Sequence, residues 1–216
     1  MTPRRRTGSG HPIALDLEAT GLDPRHDVIL SFGAVPIVDG RVRLDRSTYR
    51  VMQSNQPVPA EVVRIHRLRP VDLALASPRS EALAELESIV GDHPLVVWSA
   101  WVETSFLAAA FGGRRRTWER RMIDVRDLVQ ATDARLARQW ESHETLAMAA
   151  RRFAVPPEAA HHALADAFVT AQLFLVTSAL LGRHVPAPTR SGAARPPRRT
   201  RSRPPPGADG VDTVPA

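Results

Sequence analysis

The sequence predicts a mixed α/β fold, in which the first three strands of a sheet are antiparallel, later strands are parallel, and helices flank the sheet. Three observations support this prediction. Three β-rich segments follow one another near the start of the chain, and helical segments then alternate with short apolar runs. The length of 216 residues is enough for one domain with a buried core.

The opening segments are typical of an antiparallel meander. An apolar run at residues 13–15 begins the first strand, within the stretch 12–24 (PIALDLEATGLDP). A second β-rich segment covers residues 28–37 and a third covers residues 41–52. Asp39 and Gly40 separate these two, and an Asp-Gly pair is a strong hairpin turn signal.

Helices are predicted after the meander, interleaved with short strands. The predicted helices cover residues 59–65, 80–90, 103–111, 142–153 and 159–181. Short apolar runs at 95–98 and 122–125 are predicted to be strands, and residues 114–116, all arginine, are predicted to form a basic loop. Strands that alternate with helices in this way indicate the parallel part of the sheet.

The composition narrows the class of protein. The chain has no cysteine, which excludes a disulfide framework and thiolate metal sites. We expect that no apolar stretch is long enough to span a membrane. The arginines of residues 1–10 are not followed by the apolar segment of a secretory signal. We therefore expect a cytoplasmic protein with no membrane partner.

The net charge of +6 is concentrated in the two ends of the chain. Three of the 29 basic residues, all of them arginine, lie in residues 1–10, and seven lie in residues 183–216 beside two acids. The remaining 19 arginines and 21 acids make residues 11–182 mildly acidic. We predict a domain over 11–182 between a disordered basic N-terminal tail and a disordered Pro/Arg-rich C-terminal tail. The tails either attract phosphate or are solvated extensions.

The first candidate site residues are Asp16 and Glu18 in the opening strand. Strand residues i and i+2 point to the same face, so the two carboxylates stand side by side. Buried carboxylates a few Å apart repel each other, and an oxygen-rich site of this kind suits Mg²⁺ or Mn²⁺. The alternative is a strand that ends early and places both acids in solvent.

Two later stretches add an acid each. Glu103 lies in the first turn of a predicted helix, where the helix dipole alone favours an acid. Asp166 lies in an apolar helix after His161 and His162. His162 is four residues before Asp166 and could pair with it along the helix, whereas His161 reaches the same site only from a loop before the helix.

These stretches, in this order, resemble the motifs of the DEDDh family of 3′→5′ exonucleases, which includes the DnaQ-like proofreading subunits of bacterial replicative polymerases. The first motif, Asp-x-Glu followed by Thr-Gly, matches Asp16, Glu18, Thr20 and Gly21. The third motif, His-x-Ala-x-x-Asp-Ala, matches His161, Ala163, Asp166 and Ala167, which selects His161 over His162. Weaker family-like features are FGAV at 32–35, the pair Ile65-His66, and Asp124. The resemblance covers about residues 11–182.

The second motif departs from the family pattern. Family members have His-Asn, an aromatic residue and then Asp, where this chain has Trp98-Ser99, Val102 and Glu103. Glu keeps the charge but moves the carboxylate one methylene further out, which would weaken binding of a second metal. Trp98 is expected to pack in the core. Trp101 could stack on the terminal base.

The resemblance implies a ribonuclease H-like fold and a two-metal 3′→5′ exonuclease that acts on DNA in preference to RNA. Its cofactors would be two divalent cations, Mg²⁺ or Mn²⁺, and its product a nucleoside 5′-monophosphate. The implied metal ligands are Asp16, Glu18, Glu103 and Asp166, with His161 as general base. The implied substrate-binding residues are Ala19, Thr20, Gly21, Trp101 and His66. The sole tyrosine, Tyr49, is far from the third motif in the sequence, which excludes the tyrosine variant of the family.

Single-stranded DNA or RNA 3′ ends are therefore the expected partners, and a DNA polymerase is a further candidate. The alternative hypothesis is a nucleic-acid-binding or polymerase-associated module whose catalysis is weakened by the altered second motif. A third hypothesis gives the acids a purely structural role. The arginines at 114–116 either guide a strand towards the site or form a solvated loop.

Overall fold

The structure is a computed structural model that describes residues 10–139, 143–156, 158 and 160–183. Almost all of both predicted tails lies outside these residues. The strands are β1 (Ile13–Ala19), β2 (Ile29–Val38), β3 (Arg41–Val42), β4 (Thr48–Val51), β5 (Leu95–Val97) and β6 (Met122–Asp124). The helices are α1 (Ala60–His66), α2 (Pro70–Ala74), α3 (Arg79–Val90), α4 (Ala100–Phe111), α5 (Arg115–Glu119), α6 (Val125–Arg135), α7 (Leu146–Arg152) and α8 (Ala163–Leu180).

The sheet has the predicted mixture of strand directions. The strand order is β3-β2-β1-β5-β6, and β4 also pairs with β2. The pairs made by β2 are antiparallel, whereas β5 runs parallel to β1 and to β6. The mixed sheet with helices on it confirms the predicted fold class.

The third predicted strand is interrupted. Residues 41–52 form two short strands, β3 and β4, with a 3₁₀ turn at Leu44–Arg46 between them. The turn is stabilised locally, since the Ser47 hydroxyl donates to the Leu44 carbonyl and Arg43 pairs with Asp45. These contacts within the turn compete with a continuous ladder, so the prediction of one strand was wrong in its middle.

The sheet separates two apolar clusters. Alternate residues of β1 face opposite sides: Leu15 packs with α3 and α4, and Ala14 packs with α6, α7 and α8. Asp16 and Glu18 are two and four residues after Ala14, so their side chains point to the same face of the sheet as that of Ala14. The strand therefore directs both carboxylates to the face that carries α8.

Several helix predictions differ from the structure. Residues 115–119 form a short helix, α5, and not the predicted basic loop. Trp118 explains the difference, because its buried indole donates to the Gly112 carbonyl and packs beside the Phe111 ring, which gives the segment an apolar anchor. Helix α2, which was not predicted, starts at Pro70, with the Asp72 carboxylate accepting the backbone N–H of Arg69.

Helix α8 starts four residues later than predicted, and residues 160–162 form the turn that precedes it. By length and composition it is apolar enough to cross a membrane, which corrects the expectation that no stretch is. It packs on β1 and β2, and buried residues along it belong to the core cluster on that side. A buried core helix and a membrane span share this composition.

One glycine allows α8 to approach the sheet closely. A Cβ on Gly33 of β2 would lie 2.3 Å from the carbonyl of Ala163, in the first turn of α8. Gly33 is paired with Asp16 across the sheet. The start of α8 therefore lies over the part of the sheet where the first-motif acids point.

Candidate active site

The predicted acids converge at one edge of the sheet. Parallel strands β1 and β5 end on the same side, and Glu18 is the next-to-last residue of β1. Helix α4 begins directly after β5, with Glu103 in its first turn. Helix α8 brings Asp166 from the opposite layer, also in its first turn. Three separate chain segments thus deliver carboxylates to one place.

Glu18, His161 and Asp166 form the tightest group. One potential ligand atom from each of these side chains lies within 4.8 Å of the others. His161 lies in the turn before α8, and its backbone N–H donates to Asp166 Oδ2 at 2.8 Å. This turn is the loop position from which His161 was expected to reach the site.

The four carboxylates perturb one another strongly. Burial raises the pKa of Asp16 well above its usual value, and the charges of Glu103, Glu18 and Asp166 raise it further. Burial raises the pKa of Glu18 to about 7, and Asp166 adds to this. Burial also raises the pKa of Asp166, against the hydrogen bond from the His161 backbone. The group acts as one electrostatic unit.

Glu103 is the most enclosed of the four. Only 4% of its surface is exposed, and its Oε2 has no hydrogen-bond partner in the described structure. Burial raises its pKa to about 8, a backbone hydrogen bond opposes this, and the charges of Asp124 and Glu18 add to it. A buried carboxylate oxygen without a donor is costly, and a bound cation would remove this cost.

Asp124 lies close to Glu103 but has its own partners. Its Oδ2 accepts the backbone N–H of Ala100 at 2.8 Å, and its Oδ1 accepts that of Arg126 at 3.0 Å. Both oxygens are therefore used to cap the starts of α4 and α6. Asp124 fixes the helix that carries Glu103, a positioning role that the sequence had indicated only weakly.

The residues at this edge fit divalent cations. Asp16, Glu18, Glu103 and Asp166 form no ion pair with any arginine among the described residues. Hard cations prefer carboxylate oxygens, and a cation would remove the repulsion that raises these pKa values. The unpartnered Glu103 oxygen and the Glu18–His161–Asp166 group both supply ligand atoms.

The structure separates the roles of the two adjacent histidines. His161 faces Glu18 and Asp166, whereas the His162 ring stacks on Tyr49, with centroids 4.4 Å apart and planes at 28°. The side chains of His162 and Asp166 form no hydrogen bond among the described residues, although the charge of His162 opposes the rise in the pKa of Asp166 that burial causes. Tyr49, distant in sequence, is brought next to the third motif by β4.

The loop after β1 is organised by Asp27, which sequence reasoning missed. Ala19 ends β1 at a register shift, and Thr20 is buried with its hydroxyl donating to Asp27 Oδ1 at 2.9 Å. The Asp27 side chain also accepts the Asp23 N–H and leaves no room for a Cβ on Gly21. The Thr20-Gly21 turn is thereby held beside Glu18. An Asp several residues after a Thr-Gly pair was the available signal.

His66, at the end of α1, lies near the same site. Its Nδ1 accepts the Leu68 N–H at 3.0 Å, and its buried Nε2 has no partner in the described structure. Burial lowers its pKa, and the charge of His161 lowers it further. The neutral ring then carries its proton on Nε2, which leaves one buried donor available near His161.

Trp101 and Trp98 differ in exposure. Trp98 packs against the core cluster on the α8 face, as expected. Trp101 is 48% exposed and lines an open groove of about 770 Å³ together with Leu22, which is 66% exposed. The Arg115 guanidinium lies 5.7 Å from the centre of the Trp101 ring. The groove begins at the loop after β1 and follows α4 away from the site.

Known structures share this architecture. Cell-death related nuclease 4 (CRN-4) has a TM-score of 0.65 at 14% identity over 82% of this chain and 66% of its own. Exonuclease X in complex with 5′ overhanging duplex DNA has a TM-score of 0.58 at 19% identity, over 81% of this chain and 95% of its own. Exonuclease I has a TM-score of 0.67 at 15% identity, over 79% of this chain and 41% of its own.

This chain therefore spans about two fifths of exonuclease I and about two thirds of the first of these nucleases. At such identities the likeness establishes the fold, and it confirms the ribonuclease H-like prediction. No curated protein matches the sequence significantly.

The family itself is shown by sequence. The RNase_T family model, described as Exonuclease, matches residues 13–174. This match begins at β1 and ends inside α8, so it includes all four acids and His161. The protein belongs to the RNase T-type exonuclease family, the DEDD group of 3′→5′ exonucleases.

Proposed function

We propose that the protein is a metal-dependent 3′→5′ exonuclease that hydrolyses the terminal phosphodiester bond of nucleic acids and releases nucleoside 5′-monophosphates. One observation carries the proposal: four carboxylates and His161 meet at one sheet edge with no arginine to neutralise them among the described residues. The overlap of the family match with all five residues supports it.

The acids divide naturally between two cations. Asp16, Glu18 and Asp166 would hold one Mg²⁺ or Mn²⁺, and Asp16 with Glu103 would hold a second. Such ions, when bound, lower the pKa of a water molecule and stabilise charge on the leaving oxygen. Asp16 interacts electrostatically with the other three acids. This central position makes Asp16 the residue that would contact both ions.

His161 would act as the general base. It accepts the proton of the attacking water while the water oxygen bonds to phosphorus and the bond from phosphorus to the 3′ oxygen breaks. The protonated imidazole is then stabilised by the nearby Glu18 and Asp166 carboxylates. An imidazole suits this task because its pKa lies near neutral.

The remaining site residues would bind the terminal nucleotide. The Thr20-Gly21 turn and Ala19 lie next to Glu18, the exposed Trp101 ring offers a stacking surface, and His66 Nε2 offers a donor. Stacking binds any base, so sequence-tolerant recognition of an unpaired end is expected.

DNA is the favoured substrate. The exonuclease I structures include complexes with dA16 and dT13 oligonucleotides, and exonuclease X was solved with DNA. Proofreading or repair beside a DNA polymerase is the corresponding role.

The direct test measures mononucleotide release from 5′-labelled single-stranded DNA and RNA with Mn²⁺, with Mg²⁺ and with EDTA. We expect metal-dependent shortening from the 3′ end, faster on DNA. His161→Ala should reduce the rate by about 10²- to 10⁴-fold. The matched control is His26→Ala, an exposed histidine paired with Asp23 far from α8 in sequence. A fully active His161→Ala protein would refute the assigned base.

A second candidate function is a binding module with weakened catalysis, and it rests on Glu103. Its carboxylate takes the position at which the family has a shorter Asp, and the helix start around it is fixed by Asp124. This hypothesis expects tight single-strand binding with negligible turnover. It also expects Glu103→Asp to raise turnover, whereas the exonuclease hypothesis expects that substitution to change kcat by less than about tenfold.

A further inference from the structure

The two adjacent histidines of the third motif have different environments. His161 faces Glu18 and Asp166. The next side chain, His162, stacks on the ring of Tyr49, with 4.4 Å between centroids and 28° between planes. The turn before α8 therefore has one ring contact, between His162 and Tyr49, beside the group formed by His161, Glu18 and Asp166.

The sheet places Tyr49 where this contact can form. Asp16 of β1 pairs with Gly33 of β2, and Gly33 pairs with Tyr49 of β4, so the three residues form one row across the sheet. Directly paired residues point to the same face. Helix α8 starts over the middle of this row, because Gly33 has no Cβ to hold Ala163 away. His162 then lies over Tyr49, at one end of the row.

His161 needs such support. Its φ is +60°, a left-handed conformation that is unfavourable for a residue with a Cβ. Such conformations persist when contacts on both sides determine them. On one side, the His161 N–H donates to Asp166 Oδ2. On the other side, His162 is the N-cap residue of α8, its side chain makes no capping hydrogen bond, and its ring stacks on Tyr49.

We propose that Tyr49 and His162 form a positioning pair that holds His161 in its left-handed turn and keeps its imidazole aimed at the Glu18–Asp166 site. This proposal rests on the proposed function of His161 as general base. The aromatic ring of His162, rather than its ring nitrogens, carries the role, since the contact with Tyr49 is a ring stack. A phenyl ring at position 162 should therefore replace it.

The test compares ring-removing and ring-retaining variants. His162→Ala and Tyr49→Ala should each lower kcat on single-stranded DNA by about five- to tenfold with KM unchanged, because an aromatic pair contributes a free energy of this size. His162→Phe and Tyr49→Phe should stay within about twofold of the wild type. The double Ala variant should be no slower than either single one, since both remove the same contact.

A second readout does not depend on turnover. In the metal-free protein, the NMR resonance of the His161 ring proton Hε1 should shift in His162→Ala and stay in place in His162→Phe. A circular dichroism melt of each variant identifies any that fails to fold, and His162→Phe then decides the question alone.

The outcomes separate this inference from the proposed function. If the wild-type protein releases no mononucleotides, the proposed function fails. If the wild type is active and His162→Ala is within twofold of it with an unmoved His161 resonance, the positioning pair is refuted. A His162→Phe protein as slow as His161→Ala would also refute it, because His162 would then perform chemistry itself.

Discussion

Buried carboxylates cluster in two regions of this domain, and the two clusters are neutralised differently. Asp133 of α6 is 0% exposed, and Glu144 before α7 is also buried. Arg152 of α7 binds both: it contacts Asp133 through Nη1 and Glu144 through Nε and Nη2, at 2.8 and 2.7 Å. In the active site, Asp16, Glu18, Glu103 and Asp166 have no such arginine among the described residues.

The comparison shows how to distinguish a structural acid from a functional one. The arginine gives both acids of the first cluster a cationic partner, ties α7 to α6, and has its pKa raised by the hydrogen bonds to Asp133 and Glu144. The second cluster has no arginine partner among the described residues, so the charges of its acids repel one another. Burial of an acid alone therefore does not indicate a cation-binding site, whereas a cluster of buried acids without a cationic partner does.

The largest effect is expected from Asp16→Asn. Loss of metal-ion stabilisation worth several kcal/mol should reduce turnover by about 10³-fold or more. The same substitution should raise the Tm in EDTA, because it removes a carboxyl group whose ionisation is opposed by burial and by the neighbouring acids. Measured together, activity and melting in EDTA should move in opposite directions.

The Asp16→Asn protein should also lose the increase in Tm that Mn²⁺ gives the wild type, since a ligand that binds only the native state stabilises it. If neither Mn²⁺ nor EDTA changed the Tm of the wild type, the acids would not bind a cation, and their role would be structural.

The next largest effect is expected from Arg152→Leu, which leaves the fully buried Asp133 without its partner. Breaking a buried ion pair in this way should lower the free energy of unfolding by about 3–5 kcal/mol. Urea denaturation measures the loss, and turnover per folded molecule should remain close to that of the wild type.

The matched control replaces all three members of this cluster, in Asp133→Asn, Glu144→Gln, Arg152→Met. This variant should recover much of the lost stability, because no charge stays buried and unpaired. If Arg152→Leu instead had the same urea midpoint of unfolding as the wild type, Arg152 would not be needed to neutralise the buried acids, and the proposed difference between the two clusters would be refuted.

The smallest effect is a pH dependence confined to the active site. In the metal-free protein, the pKa of Glu18 is about 7 and that of Glu103 about 8, against 4.5 for an ordinary Glu. The folded chain therefore holds more protons than the unfolded chain between pH 4.5 and about 8, and its stability falls as pH rises through that window. In EDTA, the Tm at pH 8 should lie below that at pH 5.5.

Glu18→Gln with Glu103→Gln should flatten this dependence, and saturating Mg²⁺ should also oppose it, because the cation binds the deprotonated acids. A dependence that survives undiminished in the double variant would assign the titration to other groups, of which Asp16 and Asp166 also have raised pKa values.

Local patterns were sufficient for much of the fold and for the candidate acids. The alternation of β1, the apolar spacing of α3 and the motif around Asp166 are properties of neighbouring residues, and they placed these elements to within a few residues. Besides the missed helix α2 and the late start of α8, the predictions failed at residues 41–52 and 114–116. There the outcome depended on a turn stabilised by Arg43 and Asp45 and on the burial of Trp118, neither of which periodicity records.

The sequence by itself determined that carboxylates and a histidine occur at family spacings along one α/β chain. The tertiary structure decided which of them meet. Gly33 admits α8 to the sheet, Asp124 fixes the start of α4, and Asp27 holds the turn after β1. The choice between His161 and His162 shows the physical reason most directly. The two are identical in type and adjacent in sequence, yet one ring stacks on the distant Tyr49 and the other lies beside Glu18 and Asp166.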